Sequence, residues 1–182
     1  MRQFLQVDRV IRVDAAVNHG NSGGGLFDDT GRLIGIVNAK TVDDEVENIG
    51  YALPSNVVTA VADNIIDFCF GKNCSSVMRP ILGVTITTTE SKAEYTENGV
   101  FIRETIVIYE VTPGQIGSVF KVDDELVSIT INGVTKVISQ RHHVIDTMVT
   151  SRPGDVVDFV IIRDGKQMTV SVTITDACLT KY

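Results

Sequence analysis

Ser22 stands in the stretch Asn18-His19-Gly20-Asn21-Ser22-Gly23-Gly24-Gly25, one hydroxyl set among four glycines. Apolar segments flank it, Val10-Ile11-Arg12-Val13 before and Leu33-Ile34-Gly35-Ile36-Val37 after, so the stretch reads as a tight turn between two strands. A turn of that kind exposes one hydroxyl, as nucleophilic chemistry requires. Glycine serves there because it reaches positive φ without a Cβ clash and lets a substrate backbone come close. Each glycine also costs about 0.5–1 kcal/mol of conformational order, so a cluster points to a use. A flexible hairpin loop in which Ser22 does nothing satisfies the same local pattern, because serine is common in Gly-rich turns.

The wider segment discriminates between these readings. Asp14-Ala15-Ala16-Val17-Asn18, Gly20-Asn21-Ser22-Gly23-Gly24, Leu33-Ile34-Gly35-Ile36-Val37-Asn38-Ala39 and Ile49-Gly50-Tyr51-Ala52-Leu53-Pro54-Ser55-Asn56 follow one another in an order and spacing that resembles the second barrel of an HtrA-like, trypsin-fold serine protease. The resemblance implies that Ser22 is the nucleophile and that the backbone N–H groups of Gly20 and Ser22 form the oxyanion hole. It also places Ala16, six residues before Ser22, at the floor of the specificity pocket with Val17 beside it. Neither is charged, so the pocket is expected to take small or medium apolar side chains. Val37, Asn38 and Ala39 would pair with the substrate backbone as an added strand. His19 and Gly25 stand where the family tends to have proline, and the loss of two rigid residues is expected to leave the loop more mobile without substrate.

Serine protease chemistry needs a general base for the hydroxyl proton and an acid to orient that base. In the resembled family both come from upstream of the serine motif, and here nine residues precede Val10. His19 lies in the turn of the oxyanion hole and would have to fold back across the substrate site. His142 and His143 are adjacent on an expected helix, point in different directions and read as exposed surface residues. The chain alone is therefore expected to be inactive, as the C-terminal part of a protease.

The elements that must position Ser22 occupy residues 1–76. Asp28-Asp29-Thr30-Gly31 is a turn, and Asp43-Asp44-Glu45-Val46-Glu47 an acidic loop before the strand Ile49 to Leu53. Pro54 stops that strand and Ser55 caps a helix whose stripe Val58, Val61, Ala62, Ile65 and Cys69 reads as core, ending at Gly71. Lys72-Asn73-Cys74-Ser75-Ser76 is a short polar linker.

Residues 77–182 form a second, strand-rich unit. Strands are expected at Leu82 to Thr88, Val100 to Arg103, Val107 to Val111, Glu125 to Ile131, Val156 to Arg163 and Met168 to Thr175. Turn pairs such as Asn98-Gly99, Asn132-Gly133 and Asp164-Gly165 separate them. Ser139 caps one helix with an apolar face of Val144, Ile145, Met148 and Val149. The segments Arg79-Pro80-Ile81-Leu82-Gly83-Val84, Lys121 to Ile129, and Ser151-Arg152-Pro153-Gly154-Asp155 resemble a PDZ domain of the kind that follows the protease in HtrA proteins. That resemblance implies a groove between the strand after Gly83 and the helix Ser139 to Thr150, with Ile81, Leu82, Gly83, Val84 and Ile145 contacting a peptide. The N–H groups of Leu82, Gly83 and Val84 would hold its C-terminal carboxylate while the peptide adds a strand. Gln115-Ile116-Gly117-Ser118-Val119 departs from the family's alanine-rich turn, which puts the short helix there in doubt.

The fold expected is therefore mainly β, a partial trypsin-like barrel followed by a PDZ domain. Composition narrows the partners. A net charge of −7, from 16 basic and 23 acidic side chains, argues against nucleic acid and anionic membranes. No run of 18 apolar residues appears and Met1-Arg2-Gln3-Phe4 lacks the apolar core of a signal peptide, so the chain as written reads as soluble. The three cysteines and three histidines lack zinc spacing, and no cofactor is expected. Cys69 and Cys74 are close enough for a small disulfide in an oxidising compartment, but buried free thiols are the expected state. The resemblance implies unfolded or exposed polypeptides as substrates, peptide C-termini as ligands, an envelope location and a homo-oligomer built through segments upstream of Met1. A second reading stays open: a non-catalytic peptide-binding protein with a degenerate protease half.

Overall fold

The computed structural model describes residues 10–14, 17, 20–40, 50–69, 78–97, 99–113 and 116–181. Ala16, His19, Cys74, the acidic loop at 43–47 and the linker at 72–76 lie outside the described residues. The chain divides into two compact units, Met1–Asp63 and Asn64–Tyr182.

In the first unit β1 (Ile11–Val13), β2 (Gly25–Phe27), β3 (Leu33–Lys40) and β4 (Gly50–Pro54) form an antiparallel sheet in the order β1-β4-β3-β2. Two glycines occupy tight positions in this sheet. A Cβ on Gly35 would sit 2.7 Å from the Leu53 carbonyl oxygen, and one on Gly50 would run into Val17 and lie 3.0 Å from a Val13 methyl. Val17 and Ala52 are buried there.

The expected turn at Asp28 joins β2 to β3. The Asp28 carboxylate accepts from the Thr30 hydroxyl at 2.7 Å, from the Arg32 and Thr30 amides at 2.9 and 3.0 Å, and from Arg32 Nε at 2.7 Å. The Thr30 hydroxyl first, then the Arg32 amide, lower its pKa to about 2. The stabilisation this turn provides is complete above the ordinary carboxylate pKa and is lost as pH falls through about 2. A carboxyl-carbon NMR titration is expected to give Asp28 a midpoint near about 2, and an ordinary midpoint near about 4 would remove that ordering role.

Helix α1 (Ser55–Cys69) falls where the spacing predicts, but its buried face is rotated. Val58, Val61 and Cys69 are half-buried, Ala62 and Ile65 are exposed, and Asn64 is fully buried. Apolar character alone selected Ile65, and its polar neighbour Asn64 takes the inward position instead. Neither atom of the Asn64 amide has a hydrogen-bond partner. An unsatisfied buried amide is destabilising, so Asn64→Leu, nearly equal in volume, is expected to raise stability by about 1–2 kcal/mol in denaturant unfolding. A loss of stability would mean the amide is engaged. Cys69 is disulfide-bonded, which overturns the expectation of a free thiol, whereas Cys178 is free and buried as expected.

The second unit is built on a five-strand path, β11 (Lys166–Thr173), β10 (Val156–Arg163), β8 (Glu125–Ile131), β7 (Gly99–Val111) and β6 (Val84–Thr96), with β9 (Val134–Val137) pairing β8. A second small sheet pairs β5 (Met78–Pro80) with β12 (Leu179–Lys181). Period-2 alternation turns Val157, Phe159 and Ile161 of β10 inward, where Phe159 meets Phe120 edge to face at 5.0 Å. The strands expected at Val100 to Arg103 and Val107 to Val111 are one continuous β7, because Glu104-Thr105-Ile106 keeps the alternation and buries Ile106. The short helix in doubt at Ile116–Val119 is present as one 3-10 turn.

Gln140, not Ser139, holds the N-cap position of helix α2 (Arg141–Met148); its side chain makes no capping bond, and the Arg141 amide donates to Glu104 at 2.8 Å instead. Ser139 is diverted: its amide donates to His143 Nδ1 at 3.3 Å and its hydroxyl lies 3.4 Å from the same atom. His142 and His143 are accordingly half-buried, not exposed, with ring centroids 4.5 Å apart. Val144 and Met148 join the core, and Ile145 stays 47% exposed.

Among the described residues, no helix is long and apolar enough to cross a membrane.

Candidate active site and peptide groove

The Ser22 turn is closed by its own backbone. The Gly24 amide donates to the Asn21 carbonyl at 2.9 Å, with Ser22 and Gly23 as the central pair and Gly23 at φ +86°. A positive φ at the second central residue alone defines a type II turn and calls for glycine there. A Cβ on Gly24 would press on the Asn21 carbonyl at 2.9 Å, so the fourth position is held to glycine by space. Two bonds clamp this turn to β3: Gly23 N–H donates to Val37 C=O at 2.8 Å and Val37 N–H to Gly24 C=O at 2.9 Å. Ser22 is left exposed at the apex.

The Ser22 hydroxyl lies 3.5 Å from the Asn38 carbonyl, the outer limit of a hydrogen bond. Asn38 is the extra residue of a β-bulge, between the Val37–Ala52 and Ala39–Tyr51 pairs. The bulge turns its carbonyl toward Ser22, a device that often re-aims groups beside reactive sites. Gly20 is at φ +101°, a conformation that favours glycine, and among the described residues neither its amide nor that of Ser22 has a hydrogen-bond acceptor. Val37 spends its N–H and C=O on the loop, so of the three residues expected to pair with substrate, Asn38 and Ala39 keep that role open. Val17 is buried against Gly50. Sequence reasoning missed the bulge, because nothing in the residue types at 37–39 marks a register shift.

In the second unit β6 is an edge strand with α2 beside it, so its open side faces the helix. The segment Ile81-Leu82-Gly83-Val84 precedes that edge, and its polar groups are divided in a regular way. Ile81 N–H donates to Cys178 C=O, Leu82 C=O accepts from Gly117 N–H, and Gly83 C=O accepts from Thr112 N–H, each at 2.7 Å. No peptide bond here is cis, so each N–H points opposite to the carbonyl of its own peptide group. With the Leu82 and Gly83 carbonyls drawn into the domain, the Gly83 and Val84 amides point outward. The register agrees, because the Thr112 to Gly83 bond makes Val84–Val111 a pair without mutual hydrogen bonds and aims Val84 N–H away from β7. Gly83 at φ +73° makes the bend. Two adjacent outward amides at the end of an open edge suit an anionic group. Ile81, whose amide is already used, ties the loop to Cys178, the residue before β12.

Among the described residues, no group of His, Cys, Asp and Glu could hold a metal ion.

An exposed serine on a glycine turn beside a bulged strand, followed by a second sheet with an open edge strand, fits a partial trypsin-like barrel joined to a PDZ-like sheet. Comparison with known proteins agrees. A family model described as a trypsin-like peptidase domain matches residues 2–36. The chain is 30% identical over 172 residues to the serine protease Do-like HtrA of Bacillus subtilis, covering 91% of this chain and 36% of that protein. It is likewise 30% identical over 175 residues to the serine endoprotease DegS of Escherichia coli, covering 91% of this chain and 45% of that protein. Among solved structures, the HtrA-type protease AlgW with a tripeptide matches with a TM-score of 0.63 at 27% identity, over 100% of this chain and 57% of that one. The chain thus corresponds to part of an HtrA-like, trypsin-fold serine protease. It spans less than half the length of these curated relatives.

Proposed function

We propose that this chain supplies the nucleophile, the oxyanion hole and a substrate-recruiting groove of an HtrA-type serine endopeptidase. The observation that carries this reading is the clamped type II turn that presents Ser22, with no acceptor on the Gly20 and Ser22 amides among the described residues. Ser22 Oγ attacks the peptide carbonyl, and the two amides receive the oxyanion; loss of one such donor typically costs about 3–4 kcal/mol of transition-state stabilisation. The substrate lies along Asn38 and Ala39 as an added strand, with an apolar side chain toward Ala16. A histidine and an aspartate outside this chain act as base and orienting acid. The chain on its own is inactive.

The groove beside β6 binds peptide C-termini, with the Gly83 and Val84 amides on the carboxylate and Ile145 on its wall. This recruits exposed chain ends in protein quality control. Another similar protein is the periplasmic pH-dependent serine endoprotease DegQ of Escherichia coli, which supports an envelope location, and homo-oligomeric assembly is proposed beside it. The test is hydrolysis of an unfolded protein by the longer polypeptide that carries this chain with its complementary barrel half. Cleavage of the unfolded chain and sparing of its folded form are expected. Absence of any cleavage, with peptide binding retained, would favour the non-catalytic alternative.

A further inference from the structure

Gly117 has no side chain and lies two strands away in sequence from the loop it touches, yet it holds that loop's central peptide group. Its N–H donates to the Leu82 carbonyl at 2.7 Å. A Cβ built on Gly117 would collide with that same carbonyl oxygen and lie 2.6 Å from a Val84 methyl. The residue is buried in the 3-10 turn Ile116–Val119. Its φ is not in the left-handed region, so space, not backbone conformation, reserves this position for glycine.

The consequence follows from peptide geometry. The Leu82 carbonyl and the Gly83 N–H belong to one planar trans group and point in opposite directions. The contact that draws the carbonyl inward therefore aims the Gly83 amide outward, and any residue at 117 larger than glycine must rotate or displace that group. We infer that Gly117 is a positioning residue for ligand binding, setting the direction of the Gly83 amide and with it the ability of the groove to recognise an anionic chain end. The inference rests on the groove reading given under Proposed function. It extends that reading to a residue that touches no ligand.

The test uses the full chain and two fluorescent peptides of the same apolar-ended sequence, one with a free C-terminal carboxylate and one amidated. Fluorescence polarisation on the unsubstituted chain is expected to favour the free carboxylate by about tenfold or more, as charge-assisted hydrogen bonds do. Gly117→Ala is expected to reduce that preference to about twofold or less while the amidated peptide binds as before. Lack of preference in the unsubstituted chain overturns the groove reading itself. A preference that survives Gly117→Ala in a cooperatively folded protein overturns only the positioning role. A merely structural role would lower the melting temperature and leave the ratio unchanged.

If Gly117→Ala does not fold, amide NMR on the unsubstituted chain decides. The free-carboxylate peptide is expected to shift the Gly83, Val84 and Gly117 resonances together, since charge on the Gly83 amide polarises the Leu82 carbonyl that Gly117 donates to. Shifts at Gly83 and Val84 with Gly117 unmoved would refute the coupling.

Discussion

Ser22→Ala is expected to lower kcat on an unfolded polypeptide by about 10⁴- to 10⁶-fold in the longer protease, the range seen when a protease nucleophile is removed. The size of the effect comes from losing the covalent step, since an alanine at the turn leaves the amides proposed for the oxyanion hole and the strand at Asn38 in place. KM should therefore change little. The turn itself tolerates the substitution, because its closure depends on Asn21 and Gly24 and its clamp on Gly23, Gly24 and Val37, all through backbone groups. A Ser22→Ala protein that retained more than about a tenth of kcat would place the nucleophile elsewhere. For residues 1–182 alone, turnover is expected to be negligible with or without Ser22, on the proposal that the base lies outside this chain.

The largest stability effect is expected at Arg163. Asp124 is 1% exposed, and its carboxylate accepts from Arg163 Nε at 2.7 Å, from Arg163 Nη2 at 2.6 Å and from the Lys121 amide at 2.8 Å. Arg163 also donates to the Val119 carbonyl at 3.1 Å. Its hydrogen bond to Asp124 raises the guanidinium pKa above an already high value, so Arg163 keeps its charge across the physiological range. Arg163→Ala strands a buried carboxylate and is expected to cost about 3–5 kcal/mol of second-unit stability. Arg163→Lys should recover part of that, because an ammonium supplies the charge without the two-pronged geometry. Denaturant melts of the three proteins check the order. If Arg163→Ala cost less than about 1 kcal/mol, the pair would behave as an exposed surface bridge.

This pair also links stability to the proposed ligand site. Lys121 and Asp124 follow the 3-10 turn that carries Gly117, and the Val119 carbonyl held by Arg163 is part of that turn. Arg163→Ala is therefore expected to weaken carboxylate recognition as well as the fold.

Much of the architecture was legible in the residue types. The alternation of β10 set its bounds at Val156 and Arg163, because burial there follows hydrophobicity with a period of two, and the spacing from Ser55 to Cys69 marked the extent of α1 but not its buried face. The glycine turn was legible for a different reason: positive φ at Gly20 and Gly23 and crowding at Gly24 leave few other residue types. The misreadings came where a neighbour outside the local window decided the outcome. Asn64 replaced Ile65 inside, Ser139 gave up its cap for His143, and Glu104-Thr105-Ile106 joined two expected strands into one. The bulge at Asn38 and the inward pull of the Leu82 carbonyl depend on backbone hydrogen bonds between distant segments, which leave no mark on side-chain chemistry. Gly117 left one faint signal, as a glycine in place of the family's alanine-rich turn.

The central claim is that the Ser22 hydroxyl is the attacking group. Its most direct test is mass-spectrometric mapping of the adduct formed when a fluorophosphonate is added to the longer, proteolytically competent polypeptide. The account predicts a single phosphonylated peptide containing Ser22, with no adduct after Ser22→Ala. Modification of a different serine with Ser22 untouched, in a preparation that still cleaves unfolded protein, would contradict it.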